Sequence, residues 1–306
     1  MATLPAGQAF CSVLSAQAGE PLIGTATPTR VYLLLEYNGA WGEKALEEST
    51  LPEAVKVHLK AYSKSSPDTK ALLIKRRGAA RESGIRFFVG IVSERNPSLY
   101  SFHLDHYEDF LALDLDQILA GSVEYQGQRR EGPLVLVCTN GRRDPCCARK
   151  GVLALNALSH AAGDNIWESS HVGGHRFAAN LTILPHGLLY GRVDGSNAEV
   201  ILEAYQRGEV HLPNLRGRTC YIPVVQAADY YLRRETGILS LDAFNLDDAQ
   251  ELSTHHWQVR FVSPAGRRYQ VAIVEEKTGL QVYESCLLDK STSITRYDLE
   301  SCSVRE

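Results

Sequence analysis

The sequence predicts an α/β protein in which one layout, strand, helix, three strands and helix, occurs twice in succession before a small C-terminal β appendage. Two observations carry that reading. Residues 30–39 (RVYLLLEYNG) and 133–141 (PLVLVCTNG) are apolar runs that each stop at Asn-Gly, and each is followed by a segment with helical spacing. After the first run, Ala54, Val55, His58, Leu59 and Tyr62 recur at helical intervals within 52–64. KALLIKRRG, IRFFVGIVS and LYSFHL then read as short strands, and 107–121 (YEDFLALDLDQILAG) as a helix ended by Gly121. In the second half, 151–163 (GVLALNALSHAAG) is a helix with a glycine stop. NIWESSHV, RFAANLTILP and LLYGRV alternate as strands, and AEVILEAYQRG closes as a helix. Beyond about residue 212 the pattern changes: VVQAADYYLRRETG has helical spacing, whereas 256–288 reads as strands joined by Pro-Ala-Gly and Lys-Thr-Gly turns and packed on the second half. The chain divides accordingly into 1–127, 128–235 and 236–306.

Composition narrows the function classes. The 306-residue chain is 44% hydrophobic and 22% charged, enough for ordinary packed cores in about two domains. A formal net charge of -4 with no Lys/Arg stripe leaves no electrostatic footprint for nucleic acid. No apolar run approaches the roughly 18 residues of a membrane span, and MATLPAGQAFCSVLSAQAG lacks the positively charged start of a secretory signal. The expectation is a cytoplasmic protein. Three of the seven cysteines crowd one loop beside a histidine pair, which suits reduced thiolates better than a disulfide framework.

That loop carries the chemistry. Cys138 and one of the adjacent pair Cys146/Cys147, then His171 and His175 separated by Val-Gly-Gly, make a four-ligand set of mixed sulfur and nitrogen within 38 residues. Cys138 stands at a strand end, and Asn140-Gly141 reverses the chain behind it. Cys147 falls just before a helix expected to begin near Lys150, whose dipole favours a thiolate there, and Arg142 and Arg143 bring positive charge. Cys146 and Cys147 must point apart, so one of them faces the centre with Cys138. In His171–His175 the two glycines cost roughly 2 kcal/mol of helix propensity. The segment is therefore a tight loop whose positive φ angles bring both imidazoles to one point. A lone strand-end thiol is ordinarily packing, and a lone histidine pair ordinarily surface or core; the concurrence of both pairs indicates a metal.

The pattern Cys-x8-Cys followed by His-x-Gly-Gly-His, within VCTNGRRDPCCARKG and SSHVGGHRFAANLTILPHGLLYGRV, resembles the sucrase/ferredoxin-like family, closely over about 128–235 and in layout elsewhere. The resemblance implies thioredoxin-like units, the second of them a thioredoxin-like ferredoxin domain holding a [2Fe-2S] cluster without the Rieske fold. It implies Cys138 and Cys147 on the iron that stays ferric, with His171 and His175 on the reducible iron; the x8 spacing selects Cys147 over Cys146. The function implied is one-electron transfer or redox sensing with unnamed donor and acceptor proteins.

Two readings from other classes compete. Structural Cys2His2 zinc suits the histidine spacing, but its cysteines usually stand two to four residues apart. A thiol-disulfide oxidoreductase would show Cys-x-x-Cys at a helix start, and the chain has none. No carboxylate pair is placed for glycoside cleavage, no Walker or Rossmann glycine pattern occurs, and no catalytic residue is assigned. Cys11, Cys220, Cys286 and Cys302 read as isolated buried thiols, and His186 as a turn residue with an option beside the cluster. His255 and His256 read as exposed or packed, Arg176 as a surface ion pair, and Asp144 as a loop cap.

Overall fold

Alternation along two apolar strands organises the molecule. In the computed structural model, which describes residues 9–66, 68–76, 83–159, 163–288 and 290–305, a short helix α1 (Cys11–Gln17) precedes β1 (Val31–Glu36), α2 (Glu53–Ser65), β2 (Thr69–Lys75), β3 (Ile85–Ile91) and β4 (Ser98–Leu104). β1 runs parallel to β2 and antiparallel to β3, which pairs with β4. A short helix α3 (Leu115–Leu119) leads into the second half, β5 (Leu134–Cys138), α4 (Pro145–Leu158), β6 (Ile166–Ser169), β7 (Leu181–Leu184), β8 (Leu188–Tyr190) and α5 (Ala198–Gln206). There β5 runs parallel to β6 and antiparallel to β7, which pairs with β8. The pairing rule thus repeats, and the two sets join edge to edge through antiparallel β2 and β6, with Ile74 opposite Ser169. With β9 (Leu215–Arg218) they form one nine-stranded mixed sheet, β4-β3-β1-β2-β6-β5-β7-β8-β9.

Successive side chains of a strand point to opposite faces, and the packing follows. Leu33 and Leu35 meet Val55 and Leu59 of α2, while Val135 and Val137 meet Leu155 and Leu158 of α4. Tyr32 and Leu34, with Leu134, Leu136 and Cys138, face one shared core that also takes in Trp167 and, from the C-terminal sheet, Val259, Phe261 and Val271. Each such buried aliphatic or aromatic side chain contributes about 1.5–3 kcal/mol. Parity along β5 therefore puts the Cys138 side chain on the shared face.

Three expectations are corrected. The helix expected over 107–121 breaks into a 3-10 turn, Tyr107–Ala112, and α3, because Asp114 starts a fresh cap by accepting from Gln117 N–H at 3.0 Å. The second-half helix begins at Pro145 rather than 151: Asp144 accepts from Cys146 N–H at 2.8 Å and Pro145 occupies the first position. Cys146 and Cys147 consequently sit inside the first turn of α4, not before it. After α6 (Pro223–Thr236), β10 (Asn245–Ser253), β11 (His256–Val262), β12 (Arg268–Tyr283) and β13 (Ser291–Arg305) form a separate four-stranded antiparallel sheet. Its β11–β12 turn is at Pro-Ala-Gly, with Gly266 at φ 82°. Lys277-Thr278-Gly279 makes no turn; β12 runs through it with a register shift against β13, so the hairpin reaches farther than the sequence suggests. Met1–Gln8 of the N-terminal segment, Arg77-Gly78 of the KALLIKRRG strand and 160–162 of the second-half helix lie outside the described residues. Among the described residues no helix is long and apolar enough to cross a membrane.

Candidate metal centre

Cys138 ends β5, is 1% exposed, and donates its N–H to Asn180 O at 3.1 Å. Asn140 Oδ1 then accepts from the N–H groups of Arg142 at 3.2 Å and Arg143 at 3.3 Å, the turn that delivers the chain to the Asp144 cap. The Arg143 guanidinium is engaged with Glu43 of the first half at 2.8 Å. Cys147 is fully buried in the first turn of α4. Gly151, one turn on, lets the helix lie directly on the strand end: a Cβ there would stand 2.1 Å from the Cys138 carbonyl oxygen.

The histidine loop is a loop, as its glycines require: Gly173 has φ 108° and Gly174 φ 70°. A Cβ on Gly173 would come within 2.7 Å of Thr27 Oγ1, and one on Gly174 within 2.5 Å of the Arg216 guanidinium. Its carbonyls are clamped from three elements. Lys70 Nζ of β2 donates to Val172 O at 2.6 Å, Arg216 of β9 donates to Gly173 O at 3.0 Å and Asn180 Oδ1 at 2.7 Å, and Asn180 Nδ2 donates to Gly174 O at 2.9 Å. The sequence alone does not single out these three residues: Lys70 and Arg216 are each one of two basic residues in their strands, and Asn180 carries no signal of its own.

These elements bring ligand-capable atoms of Cys138, Cys147 and His171 within 4.8 Å of one another. His175 is adjacent rather than inside that group: its ring centroid lies 5.0 Å from that of His171, and its Nε2 is 3.8 Å from Asp144 Oδ2. The Nδ1 atoms of both histidines are buried without a hydrogen-bond partner among the described residues. Such an orphaned polar atom costs about 1–3 kcal/mol, which coordination would offset. The Cys147 thiol beside it, helped by His171, holds Cys138 well below the ordinary thiol range against its burial, and Cys147 is pushed up in turn. A thiolate, a second thiol and imidazole nitrogens suit a soft or borderline metal. Burial, assisted by Arg216, brings the Lys70 ammonium down to about 8 while Cys138 pulls it back up. A groove of about 270 Å³ opens on His171 between Glu47, Lys60, Asn140 and Arg143.

Of the other residues considered, Arg176 makes an ion pair with buried Glu20 at 2.8 Å, and Cys220 and Cys302 pack on the shared core. His186 Nδ1 bonds Tyr205 Oη at 2.6 Å, on α5 rather than at the centre. Cys11 and Cys286 are not isolated. Both meet Cys146 and Asp144 in a second buried group, so Asp144 is more than a cap.

The sucrase/ferredoxin-like family profile matches residues 22–217, from the loop before β1 to β9, and takes in all four expected ligands. Altered inheritance of mitochondria protein 32 of Meyerozyma guilliermondii is 29% identical over 126 residues, 37% of this chain and 42% of that protein, so the similarity spans less than half of the relative. No solved structure matches. Because the profile covers both halves of the nine-stranded sheet and not the ligand-bearing half alone, the chain belongs to the sucrase/ferredoxin-like family.

Proposed function

We propose that Cys138, Cys147, His171 and His175 hold a [2Fe-2S] cluster, two thiolates on one iron and two imidazoles on the other, and that the protein works in one-electron transfer or redox sensing. The observation that carries this is His171 beside the Cys138 and Cys147 thiols with the His175 ring adjoining it, the Nδ1 atoms of both histidines buried and partnerless among the described residues. When bound, such a cluster supplies a one-electron couple whose potential is raised by replacing two anionic thiolates with neutral imidazoles.

The chain's own residues set the conditions. The β5 end and the first turn of α4 fix the thiolates, and Lys70, Asn180 and Arg216 fix the histidine loop. The groove at His171 gives a donor or acceptor protein an approach on the histidine side, with both charge signs on its walls. In this reading the two halves are thioredoxin-like units divided near 127, with the β appendage from 236. The first unit lends Lys70 and a groove wall, and the appendage covers His175. All seven cysteines are free, which suits a reducing compartment such as the cytoplasm.

The test is the visible and EPR spectrum of protein purified without oxygen, before and after dithionite, with iron, sulfide and zinc assayed on the same sample. About two irons and two sulfides with a rhombic, low-average-g signal on reduction supports the cluster. A colourless protein whose Cys138/Cys147/His171 set holds zinc, or a metal-free reactive dithiol, overturns it.

A further inference from the structure

Three thiols from distant parts of the chain converge at the start of α4, on the side away from Cys138. Cys11 opens α1, Cys146 lies in the first turn of α4, and Cys286 stands at the tip of the β12–β13 hairpin, 275 residues from Cys11. Cys146 Sγ is 3.5 Å from Cys11 Sγ and 3.2 Å from Cys286 Sγ. The Asp144 oxygens lie 4.0 and 3.9 Å from Cys11 Sγ, and one ligand atom from each of the four residues falls within 4.8 Å of the others. None of the four is more than 4% exposed.

We propose that Cys11, Cys146, Cys286 and the Asp144 carboxylate form a second metal centre, a closed four-ligand site for a zinc-type divalent cation, separate from the Cys138/Cys147/His171/His175 set.

The distances decide against the simplest alternative. A disulfide needs sulfurs about 2.05 Å apart, whereas thiolates around one tetrahedral zinc at about 2.3 Å stand roughly 3.8 Å from each other. The observed 3.2 and 3.5 Å lie nearer the second value than the first. Charge points the same way. The Asp144 carboxylate is fully buried, and the groups hydrogen-bonded to it are neutral donors, the N–H groups of Cys146 and Cys286 at 2.8 Å each and the Ser285 hydroxyl at 3.0 Å, with the His175 ring farther off at 3.8 Å. Those bonds leave its charge in the interior, where direct coordination would pair it with a cation. Oδ2 accepts both the Cys286 N–H and the Ser285 hydroxyl, whereas Oδ1 accepts only the Cys146 N–H at close range and keeps a lone pair for a metal. Four protein ligands with no open position match the closed coordination of a structural zinc rather than the open site of a catalytic one, with a carboxylate in place of the usual fourth Cys or His. On binding, the thiol protons leave to solvent and no electron moves.

The place of the site gives its purpose. It pins α1 and the hairpin tip to the α4 N-terminus, next to Cys147, and the backbone of Glu284 in that tip faces the His175 ring. The second centre therefore closes the C-terminal sheet over the histidine side of the first.

The test is elemental analysis of the full-length chain, purified without oxygen, and of its variants, with the visible spectrum recorded on each. About one zinc per chain is expected beside the cluster iron. Cys286→Ser and Cys11→Ser should lose the zinc and keep the visible absorption, whereas His171→Ala should lose iron and keep zinc. Cobalt(II) loaded into the zinc-depleted chain should give a thiolate charge-transfer band that weakens in Cys286→Ser, a readout that survives if one variant folds poorly. Two zincs and no iron, one lost with each ligand set, would support the second centre while removing the [2Fe-2S] reading. Zinc retained in both Cys286→Ser and Cys11→Ser, a chain that takes up neither zinc nor cobalt after reduction, or a Cys146–Cys286 disulfide found by mass spectrometry would overturn the second centre.

Discussion

If His171 and His175 hold the proposed cluster, an added electron would make their rings more basic, and the proton on the outer nitrogen of each ring would set the pH dependence of the couple. Nε2 of His175 faces Asp144 Oδ2 at 3.8 Å, which would leave its partnerless Nδ1 for the metal. The reduced form keeps that proton to higher pH than the oxidised form. The potential should hold level below the oxidised-state imidazole pKa and fall by up to about 59 mV per pH unit above it. His171→Cys or His175→Cys should remove most of the slope in film voltammetry, and an unchanged slope would sink the ligand assignment. Lys70 acts on the same couple through charge. Removing a buried cation held against this loop should make reduction harder, so Lys70→Met should lower the potential by tens of mV, on the order of 1 kcal/mol. Lys60→Met, on the groove rim, is the control expected to change little. Cys138, Cys147 and the His-x-Gly-Gly-His loop were legible in the sequence because their spacing is local. Lys70 and Arg216 were not, because nothing in the sequence of a strand says which distant loop one of its charged residues will hold. Cys11 and Cys286 show the same limit: 275 residues separate them, and only the long hairpin brings them together.

At the scale of elements, α4 and the β7–β8 turn carry the testable consequences. Asp144-Pro145 was a readable helix start, an N-cap followed by proline at the first position, yet the cysteine pair drew attention to a loop and the helix was expected six residues late. Its true start matters because Gly151 then falls against Cys138. In an ordinary helix Gly→Ala gains about 1 kcal/mol. Here the new Cβ would meet a backbone oxygen at 2.1 Å, and overpacking costs about 1–3 kcal/mol or more. Gly151→Ala should therefore lower the urea midpoint and loosen metal retention; a gain of stability would show that α4 does not press on the strand end. In the β7–β8 turn, burial, reinforced by Arg218, holds His186 down to about 4. The unfolded chain then binds more protons between pH 4 and 6.5. The His186 contribution is complete above 6.5 and is lost as pH falls toward 4, on the order of 2–3 kcal/mol. Urea unfolding at pH 7.5 and 5.0 should show a smaller acid loss in His186→Gln than in the parent chain. Equal losses would mean that the turn does not bury a neutral imidazole.

The whole molecule is more tightly joined than two repeated layouts and an appendage suggest. The repeat itself was visible, because each half opens on an apolar strand ending in Asn-Gly. The β2–β6 junction was not, since edge pairing between β2 and β6 leaves no pattern in either. Across that junction one core runs through all three parts of the chain: Leu34, Ile74 and Phe88 from the first half, Leu136, Cys147 and Trp167 from the second, and Phe261 and Val271 from the C-terminal sheet. Cys147 is itself a member of that core, so disturbing any of the three parts disturbs a thiol of the candidate centre. A chain cut at 127 or 236 would expose several of these side chains, each worth about 1.5–3 kcal/mol of burial, more than a domain's net margin of about 5–15 kcal/mol can absorb. Thermal unfolding followed by near-ultraviolet circular dichroism, which reports Trp167 and the core aromatics, should coincide in one transition with loss of the visible absorption. The fragment 128–235 expressed alone should be insoluble or fail to hold metal. Two well-separated transitions, or a soluble coloured fragment, would show that the second half is self-sufficient and that the shared core is an interface between parts that fold independently.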